Sequence, residues 1–432
     1  MQPVRGRDHP HARTAPREQG ACVQRVSPVV PGPGEHDDAR AGEPAATPHD
    51  LAHDRDVQRE RGALHERDAR VEQGLLGGTD GGGVPREQHE SHPGVRAGNV
   101  PSMRFGLFIP QGWRQDLTGI EPRDHWSVMN GLAQHADQGD AFDSIWVYDH
   151  FHAVPEPNGE ATHEAWSLIN AYAATTSRVK LGQMCTCMAY RNPAYLAKVA
   201  ATADVISGGR VQMGIGAGWY EHEWRAYGYG FPRAGERLAM LDEGVQIFKQ
   251  LWTNGVATFD GKHYQVDGAQ LAPLPLQVDG PPLWIAGGGE QKTLRIAAEH
   301  AQFTNFDGHP DVFTHKSEVL RGHCEAIGRP FEEITRSSNF NVVIGETEAD
   351  VDDRMAWVEE HLSLTVPNKA PEVAEEFRKG VLVGTPEQLV EKLKHLETLG
   401  MTYAITYFAE AAYDRSGIEL FEREVVPALR SA

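Results

Sequence analysis

The first quarter of the chain lacks the residues from which a hydrophobic core is built. Residues 1–102 contain no lysine, phenylalanine, tryptophan, tyrosine or isoleucine, while arginine, histidine, glycine, proline and acidic residues recur without a period. Such a composition cannot bury enough apolar surface to offset the entropy lost when the chain is ordered. We therefore predict that residues 1–102 form a disordered extension. The alternative is upstream sequence translated ahead of a natural start at Met103.

Long apolar runs, abundant cysteine and an excess of basic charge are also missing. No stretch approaches the roughly 18 consecutive apolar residues of a membrane-spanning helix. The four cysteines among 432 residues do not make a disulfide framework, so a reducing cytoplasm is the expected compartment. The 61 acidic residues outnumber the 41 basic ones, and the net charge of −20 repels nucleic acids and anionic membranes. We expect a small-molecule substrate, with neither a nucleic acid nor a membrane as partner.

From Met103 onward, short apolar runs alternate with longer stretches of helical periodicity, which is the pattern of repeated βα units. Eight such runs in this order predict an α/β fold, a closed (β/α)8 TIM barrel with insertions, formed by residues 103–432 as one domain. We interpret residues 258–268 as a hairpin insertion and residues 362–380 as an irregular, mobile insertion. The predicted strands span residues 103–110, 144–151, 179–187, 210–218, 282–289, 303–306, 339–345 and 402–408.

In barrels of this kind the chemistry lies where the strands end. The second predicted strand ends in Asp149 and His150, and an acid beside an imidazole can place a titratable group over a bound ring. The alternative is that both residues only cap the following loop. His152, His163 and Glu164 follow closely and raise a metal site as a further alternative. Their spacing matches no compact metal-binding helix such as H-E-x-x-H, so we expect no metal.

The next three predicted strands end in small residues. Cys185 and Cys187 point to the same face of an extended strand, so a redox pair is an open alternative. Their spacing is C-x-C and not the C-x-x-C of redox motifs, and we expect both side chains to serve in packing. The glycines of Gly214–Gly218 let the backbone approach a planar or phosphorylated ligand. Gly287–Gly289 lead into a predicted helix, whose free backbone N–H groups bind anions. We expect a phosphate there, the alternative being a tight turn.

Taken together, these segments resemble the luciferase-like monooxygenase superfamily, and within it the branch that uses the deazaflavin coenzyme F420. The resemblance covers nearly all of residues 103–432, with its segments in the family's order and at its intervals. It implies an oxidoreductase that transfers a hydride between F420 and a small organic substrate. The segments are FGLFIPQG, WVYDHF, LGQMCTCMAYRNPAYLAKVAATADVISGGRVQMGIGAGWYEHEW, WIAGGGEQKTLRIAAE and GTPEQLVEKLKHLETLGMTYAI.

The resemblance also implies roles for individual residues. His150 would lie over the reactive ring of the cofactor as the catalytic acid or base. The non-prolyl cis peptide that some members carry at the end of the third strand would fall at Met184–Cys185 and back the ring. The implied cofactor-binding residues are Asp149, Met184, Cys185, Cys187, Gly216, Ala217, Gly218, His222, Gly287, Gly288 and Gly289.

Departures from the family limit what the resemblance implies. Its sugar-phosphate dehydrogenase branch has a carboxylate where Trp219 stands and an amide where His222 stands, which argues against sugar-phosphate oxidation. One alternative is a monooxygenase that uses reduced FMN, and a second is a non-catalytic flavin-binding barrel, against which the Asp149–His150 pair argues. An FMN phosphate calls for a cationic contact, and the glycine-rich loops hold no Arg or Lys before Lys292, which favours F420. Because relatives are often dimers, the resemblance implies a homodimer.

Overall fold

The structure, a computed structural model, describes residues 103–430, and the predicted disordered extension of residues 1–102 lies outside the described residues. All eight predicted barrel strands are present, together with the predicted hairpin and short additional strands. The strands are β1 Arg104–Phe108, β2 Ser144–Val147, β3 Lys180–Gln183, β4 Thr186–Cys187, β5 Val211–Gly216, β6 Val256–Asp260, β7 Gln265–Gln270, β8 Leu283–Ala286, β9 Phe303–Asn305, β10 Thr335–Ile344, β11 Leu382–Gly384 and β12 Tyr403–Tyr407.

Eight of these strands close into a parallel barrel, as predicted. The hydrogen-bonded order is β1, β2, β3, β5, β8, β9, β10, β12 and back to β1. Strand β4 continues the line of β3 and pairs with β5, whereas β11 adds to the outer side of β10. Strands β6 and β7 form the separate antiparallel hairpin. Because every barrel pair is parallel, the eight carboxyl ends open at one mouth.

Helices follow the strands and cover the barrel. None of the helices within residues 103–430 is long and apolar enough to cross a membrane. They are α1 Pro122–Gln138, α2 Ala165–Thr175, α3 Pro193–Ser207, α4 Glu221–Ala226, α5 Ala234–Asn254, α6 Thr293–His300, α7 Pro310–Ile327, α8 Glu348–Ser363, α9 Ala370–Arg378, α10 Pro386–Thr398, α11 Ser416–Leu420 and α12 Val426–Arg430, the last two joined by a π-helical turn.

The strands bury both faces, so the core has an inner and an outer part. Outward side chains such as Phe105 and Leu107 pack beneath the helices. The inside is filled by large rings: Trp146 and Trp284 meet with their centroids 4.7 Å apart. Gly182 makes room for them, since a Cβ there would lie 2.3 Å from the Trp146 ring. The inside is therefore a packed core, and ligands can reach the barrel only at its ends.

The prediction of an irregular insertion at residues 362–380 is wrong. Helix α8 runs to Ser363, and most of the remainder is α9. The buried side chains of α9, Ala370, Ala374 and Phe377, are spaced four and three residues apart, so they form one apolar stripe. That stripe packs with α8 over the barrel interior cluster. The short stripe lies among charged residues, which hid its period in the sequence.

Candidate active site

A histidine–carboxylate pair lies at the mouth of the barrel, where β2 ends. The Nδ1 atom of His150 donates to Glu223 Oε2 over 2.9 Å. Glu223 is fully buried, and its carboxylate also accepts from the Phe151 and His152 amides and from the Tyr190 hydroxyl. With Nδ1–H committed to the carboxylate, the tautomer of the imidazole is fixed. Nε2 makes no hydrogen bond with the described residues, so it is the nitrogen that can exchange a proton with a ligand.

Aromatic rings hold the imidazole in place. The Trp113 indole, from the loop after β1, stacks on His150 with ring centroids 4.1 Å apart and planes 2° from parallel. The Tyr148 ring also packs on the Trp113 side chain, with ring centroids 4.2 Å apart. Gln111 joins the two loops, because its side chain donates to the carbonyl of Tyr148 and accepts from the Tyr148 amide. The position of His150 is thus set by the ends of β1 and β2 together with α4.

Asp149 is engaged by protein groups, in a way the sequence did not reveal. Its carboxylate makes a two-pronged ion pair with Arg191, at 2.8 and 2.9 Å. It also accepts from the Cys187 amide at 2.9 Å. Arg191 in turn binds Glu164, which caps the N-terminus of α2. Asp149 therefore ties the end of β2 to the segment after β3, and this is a positioning contact.

The peptide bond between Met184 and Cys185 is cis, which confirms the position that the family resemblance implied. Cys185, Cys187 and Cys324 are free thiols. Burial raises the pKa of the Cys185 thiol to about 12, and the nearby Asp149 carboxylate adds to the effect. Burial likewise raises the pKa of Cys187. Both thiols are therefore protonated and unreactive at neutral pH, which fits the expected packing role.

The repeated glycines after β5 are explained in part by packing. A Cβ on Gly214 would lie 1.8 Å from the Gln183 carbonyl oxygen, and one on Gly216 would lie 2.7 Å from Cys185 Sγ. Gly218 has a φ of +76°, and a Cβ there would meet Cys187 Sγ at 2.5 Å. The glycines thus let β5 lie directly against the cis-peptide bulge. Ala217 and Gly218 remain partly exposed at the mouth, where a ligand can contact them.

Gly287–Gly289 join β8 to the segment before α6 and are partly or fully exposed. The loop itself holds no Arg or Lys before Lys292, but the fold brings a cation to it from another helix. Lys316, from α7, places its Cε 3.5 Å from the position of a Gly288 Cβ and pairs with Glu290. Lys316 could not be identified from the sequence of the loop, because α7 lies further along the chain. Because Lys316 lies near this loop, the lack of Arg and Lys within the loop itself does not argue against FMN.

The remaining predicted residues lie apart from these groups. His222 is exposed on α4, with its ring 4.9 Å from that of His152. His163 shares a hydrogen bond with His125, and Glu164 caps α2, so these side chains do not converge as metal ligands. Within residues 103–430, the group with metal-ligand spacing is Asp242, Glu299 and His300, which lies away from the mouth on α5 and α6. Arg295 forms ion pairs with both carboxylates of this group.

Several buried donors near the mouth have no protein partner. Gln183 Nε2 and Trp113 Nε1 are buried without a hydrogen bond among the described residues. Buried polar groups are normally paired, so orphaned donors at a mouth indicate that a polar ligand completes the site. A planar ring with carbonyl groups, extended by a phosphate that reaches Gly288 and Lys316, has the complementary chemistry. The residues present therefore fit a flavin-type cofactor.

Comparison with known proteins agrees with this geometry. A sequence model described as luciferase-like monooxygenase matches residues 103–403. An F420-dependent glucose-6-phosphate dehydrogenase of Nocardia farcinica is 28% identical over 346 residues, covering 74% of this chain and 98% of the relative. A dehydrogenase of the same name from Kineococcus radiotolerans is 29% identical over 314 residues, covering 69% of this chain and 91% of the relative.

Solved structures share the fold. An F420-dependent secondary alcohol dehydrogenase, solved with an F420–acetone adduct, superposes with a TM-score of 0.62 at 21% identity, covering 76% of this chain and 99% of that one. A monooxygenase from Streptomyces bottropensis gives the same TM-score of 0.62 at 20% identity, covering 76% of this chain and 100% of that one. At these identities the likeness establishes the barrel and leaves the cofactor and the substrate open.

Proposed function

Since the chain belongs to the luciferase-like monooxygenase family of oxidoreductases, we propose that it is an F420-dependent enzyme that transfers a hydride between the deazaflavin and a small organic substrate. The observation that carries this proposal is the His150–Glu223 pair, which leaves Nε2 of His150 free for a ligand beside the Met184–Cys185 bulge. The F420-dependent relatives, at 28% and 29% identity, support the choice of cofactor.

The cofactor would be held by the groups that lack protein partners or approach closely at the mouth. Met184 and Cys185 would back its ring, and the backbone of Gly287–Gly289 with Lys316 would bind its phosphate. Bound F420 supplies a ring carbon that accepts or returns a hydride. The role of the protein is to orient both reactants and to move the accompanying proton.

His150 handles the proton in this proposal. In the oxidation of an alcohol, the C–H hydride leaves the carbinol carbon, the O–H proton passes to Nε2 of His150, and a carbonyl remains. The imidazolium that forms is stabilised through Nδ1–H by the buried Glu223 carboxylate at 2.9 Å. In the reverse direction the same nitrogen returns the proton to the carbonyl oxygen. Asp149 acts on the reaction only through the position of Cys187 and Arg191.

Glucose 6-phosphate is not the substrate that we propose. In place of the carboxylate of the sugar-phosphate branch stands Trp219, whose indole is 61% exposed at the mouth. The cation Lys316 beside the glycine loop suits the phosphate of F420 and that of reduced FMN, the alternative cofactor, equally well. A histidine whose tautomer is fixed by a buried carboxylate is typical of proton transfer. It therefore argues against a non-catalytic flavin-binding barrel.

Titration of the full chain with F420 and with FMN, followed by tryptophan fluorescence, tests the proposal. We expect F420 to bind with micromolar or tighter affinity and FMN at least tenfold more weakly, a gap of about 1.4 kcal/mol. Equal affinities, together with oxygen consumption by the protein with reduced FMN, would establish the monooxygenase alternative. A homodimer and a cytoplasmic location stay predictions, which sedimentation and cell fractionation can check.

A further inference from the structure

A cavity of about 220 Å³ lies between the loops that follow β1 and β2 and the helices α8 and α9. Val154 and Pro155, shortly after His150, line one side. The Val154 amide bonds the carbonyl of Trp113, the residue that stacks on His150. The cavity wall is therefore linked to the histidine through Trp113.

Most of the cavity wall is apolar. Helices α8 and α9 contribute Trp357, Leu362, Val373 and Phe377. The lining also includes His361, but its Nε2 is bonded to the Gln115 carbonyl at 2.8 Å. An occupant must therefore present a mainly hydrocarbon body to this side.

The exception is Arg114, whose guanidinium lines the cavity without a direct ion pair to any described residue. Its hydrogen bonds go to neutral groups, the Asn341 side-chain oxygen at 2.7 Å and the Tyr148 hydroxyl. It lies over the ring of Tyr407, 4.1 Å from the centroid. Among residues 103–430 no carboxylate forms an ion pair with it, in contrast to Arg191.

The nearby carboxylate of Asp116 is occupied otherwise. It accepts from the Gln111 and Gly112 amides and from the Tyr407 hydroxyl. A guanidinium carries five N–H donors in a fixed fork that matches a carboxylate. Arg114 therefore offers unused donors to whatever enters the cavity, while the Asp116 carboxylate acts on its charge only through space.

We propose that this cavity binds the substrate as an apolar carboxylic acid, with the carboxylate on Arg114 and the hydrocarbon body against α8 and α9. A single guanidinium in an otherwise apolar wall suits one negative charge better than a phosphate dianion. The inference rests on the proposed function in treating this occupant as substrate. The alcohol or ketone that reacts at His150 is then a second group of the same acid.

Isothermal calorimetry of the full chain without cofactor tests the site, with octanoate and 1-octanol as probes. Octanoate should bind at least tenfold more tightly than 1-octanol, because only the acid can pair with Arg114. Over a series of shorter and longer acids, affinity should rise about fourfold with each added methylene until the cavity is full. The matched control is Arg123→Gln, which removes the same charge from a side chain that is 82% exposed.

Arg114→Gln should abolish the preference for the acid, Arg114→Lys should retain part of it, and Arg123→Gln should leave it unchanged. Phe377→Ala should weaken both probes alike. A preference that survives in Arg114→Gln, equal affinity of the two probes for the unaltered chain, or no binding of octanoate would overturn the proposal. If Arg114→Gln fails to fold, Arg114→Lys and the two probes still decide. If the chain binds octanoate but does not bind F420, the proposed function is refuted, whereas the carboxylate site is supported.

Discussion

Among individual residues, His150 is the group that can exchange a proton with a ligand, and Glu223 is the partner that holds it in place. Nε2 of His150 is open to a ligand, whereas Nδ1 and the buried carboxylate hold one tautomer. Asp149, the neighbour of His150 in sequence, points instead to Arg191 and Cys187. These adjacent loop residues thus serve different purposes, one in positioning and one in contact with a ligand.

His150→Ala should therefore reduce turnover at least about a hundredfold while folding and F420 affinity stay nearly intact. Glu223→Gln should give a smaller loss and change the pH profile of kcat, because the amide cannot stabilise an imidazolium as a carboxylate does. Single-turnover assays at saturating cofactor separate the two effects. If His150→Ala loses only affinity, the imidazole is part of the binding wall. The proton then comes from elsewhere, although the Tyr220 hydroxyl already donates to the Ala153 carbonyl.

The sequence could identify His150 because the residue ends a recognisable strand. It could not identify Glu223 as the partner, since the contact joins residues 73 positions apart. The same holds for Lys316, which reaches the glycine loop from α7. Partners of this kind depend on how neighbouring βα units pack, and no local pattern encodes them.

At the scale of elements, the contact between β5 and the bulge after β3 leaves no space for a side chain at Gly216. Gly216→Ala should cost about 1–3 kcal/mol of stability by overpacking against Cys185 Sγ and should weaken F420 binding by displacing the bulge. Gly322→Ala, in α7 with nothing within 4 Å of the new Cβ, is the control. Chemical unfolding and cofactor titration of both variants provide the measurement. Unchanged cofactor affinity in Gly216→Ala would separate the bulge from the cofactor site.

A second contact between elements is pH-dependent. Glu410, after β12, meets Arg354 of α8 at 3.2 Å, yet burial raises its carboxyl pKa from 4.5 to about 7. The folded state thus binds the proton more tightly than the unfolded state. The stabilisation that the Glu410 carboxyl contributes to the folded state is fully present below about pH 4.5. It is lost as the pH rises through about 7.

Replacing Glu410 by glutamine removes this titration. The free energy of unfolding of Glu410→Gln, relative to the unaltered chain, should therefore rise by at least about 1 kcal/mol between roughly pH 5 and pH 8. Asp414→Asn is the control, since its carboxyl has a lowered pKa and its titration lies below this range. Denaturant unfolding at both pH values measures the difference. A constant difference for Glu410→Gln would show that its carboxyl titrates normally.

Short continuous apolar runs predicted the eight barrel strands because parallel strands are buried on both faces. It overextended several strands, such as 144–151, whose last residues are loop residues that carry the site. It missed α9, in which Ala370, Ala374 and Phe377 form the only apolar stripe of a charged segment. It also missed β11, which is only Leu382–Gly384. Short elements contribute too few periods to be recognised before their packing partners are known.

For the molecule as a whole, the first barrel strand is anchored to the rest of the barrel from Met103 onward. The Met103 side chain is buried, and its backbone N–H donates to Glu397 at 3.1 Å. A chain that begins at Met103 should therefore melt within about 2 °C of the full chain and bind F420 equally well. Thermal unfolding and cofactor titration of the two chains provide the comparison. A larger loss would show that residues 1–102 contribute to the stability of the enzyme.

The most direct test of the central claim follows the hydride itself. Hydroxy acids with a secondary alcohol, deuterated at the carbinol carbon, are incubated with the full chain and oxidised F420 while dissolved oxygen is recorded. We predict that the deuterium is found on the reduced deazaflavin, that the acid becomes a keto acid, and that no oxygen is consumed. Oxygen uptake with reduced FMN and insertion of an oxygen atom into the substrate, with F420 left unchanged, would contradict it.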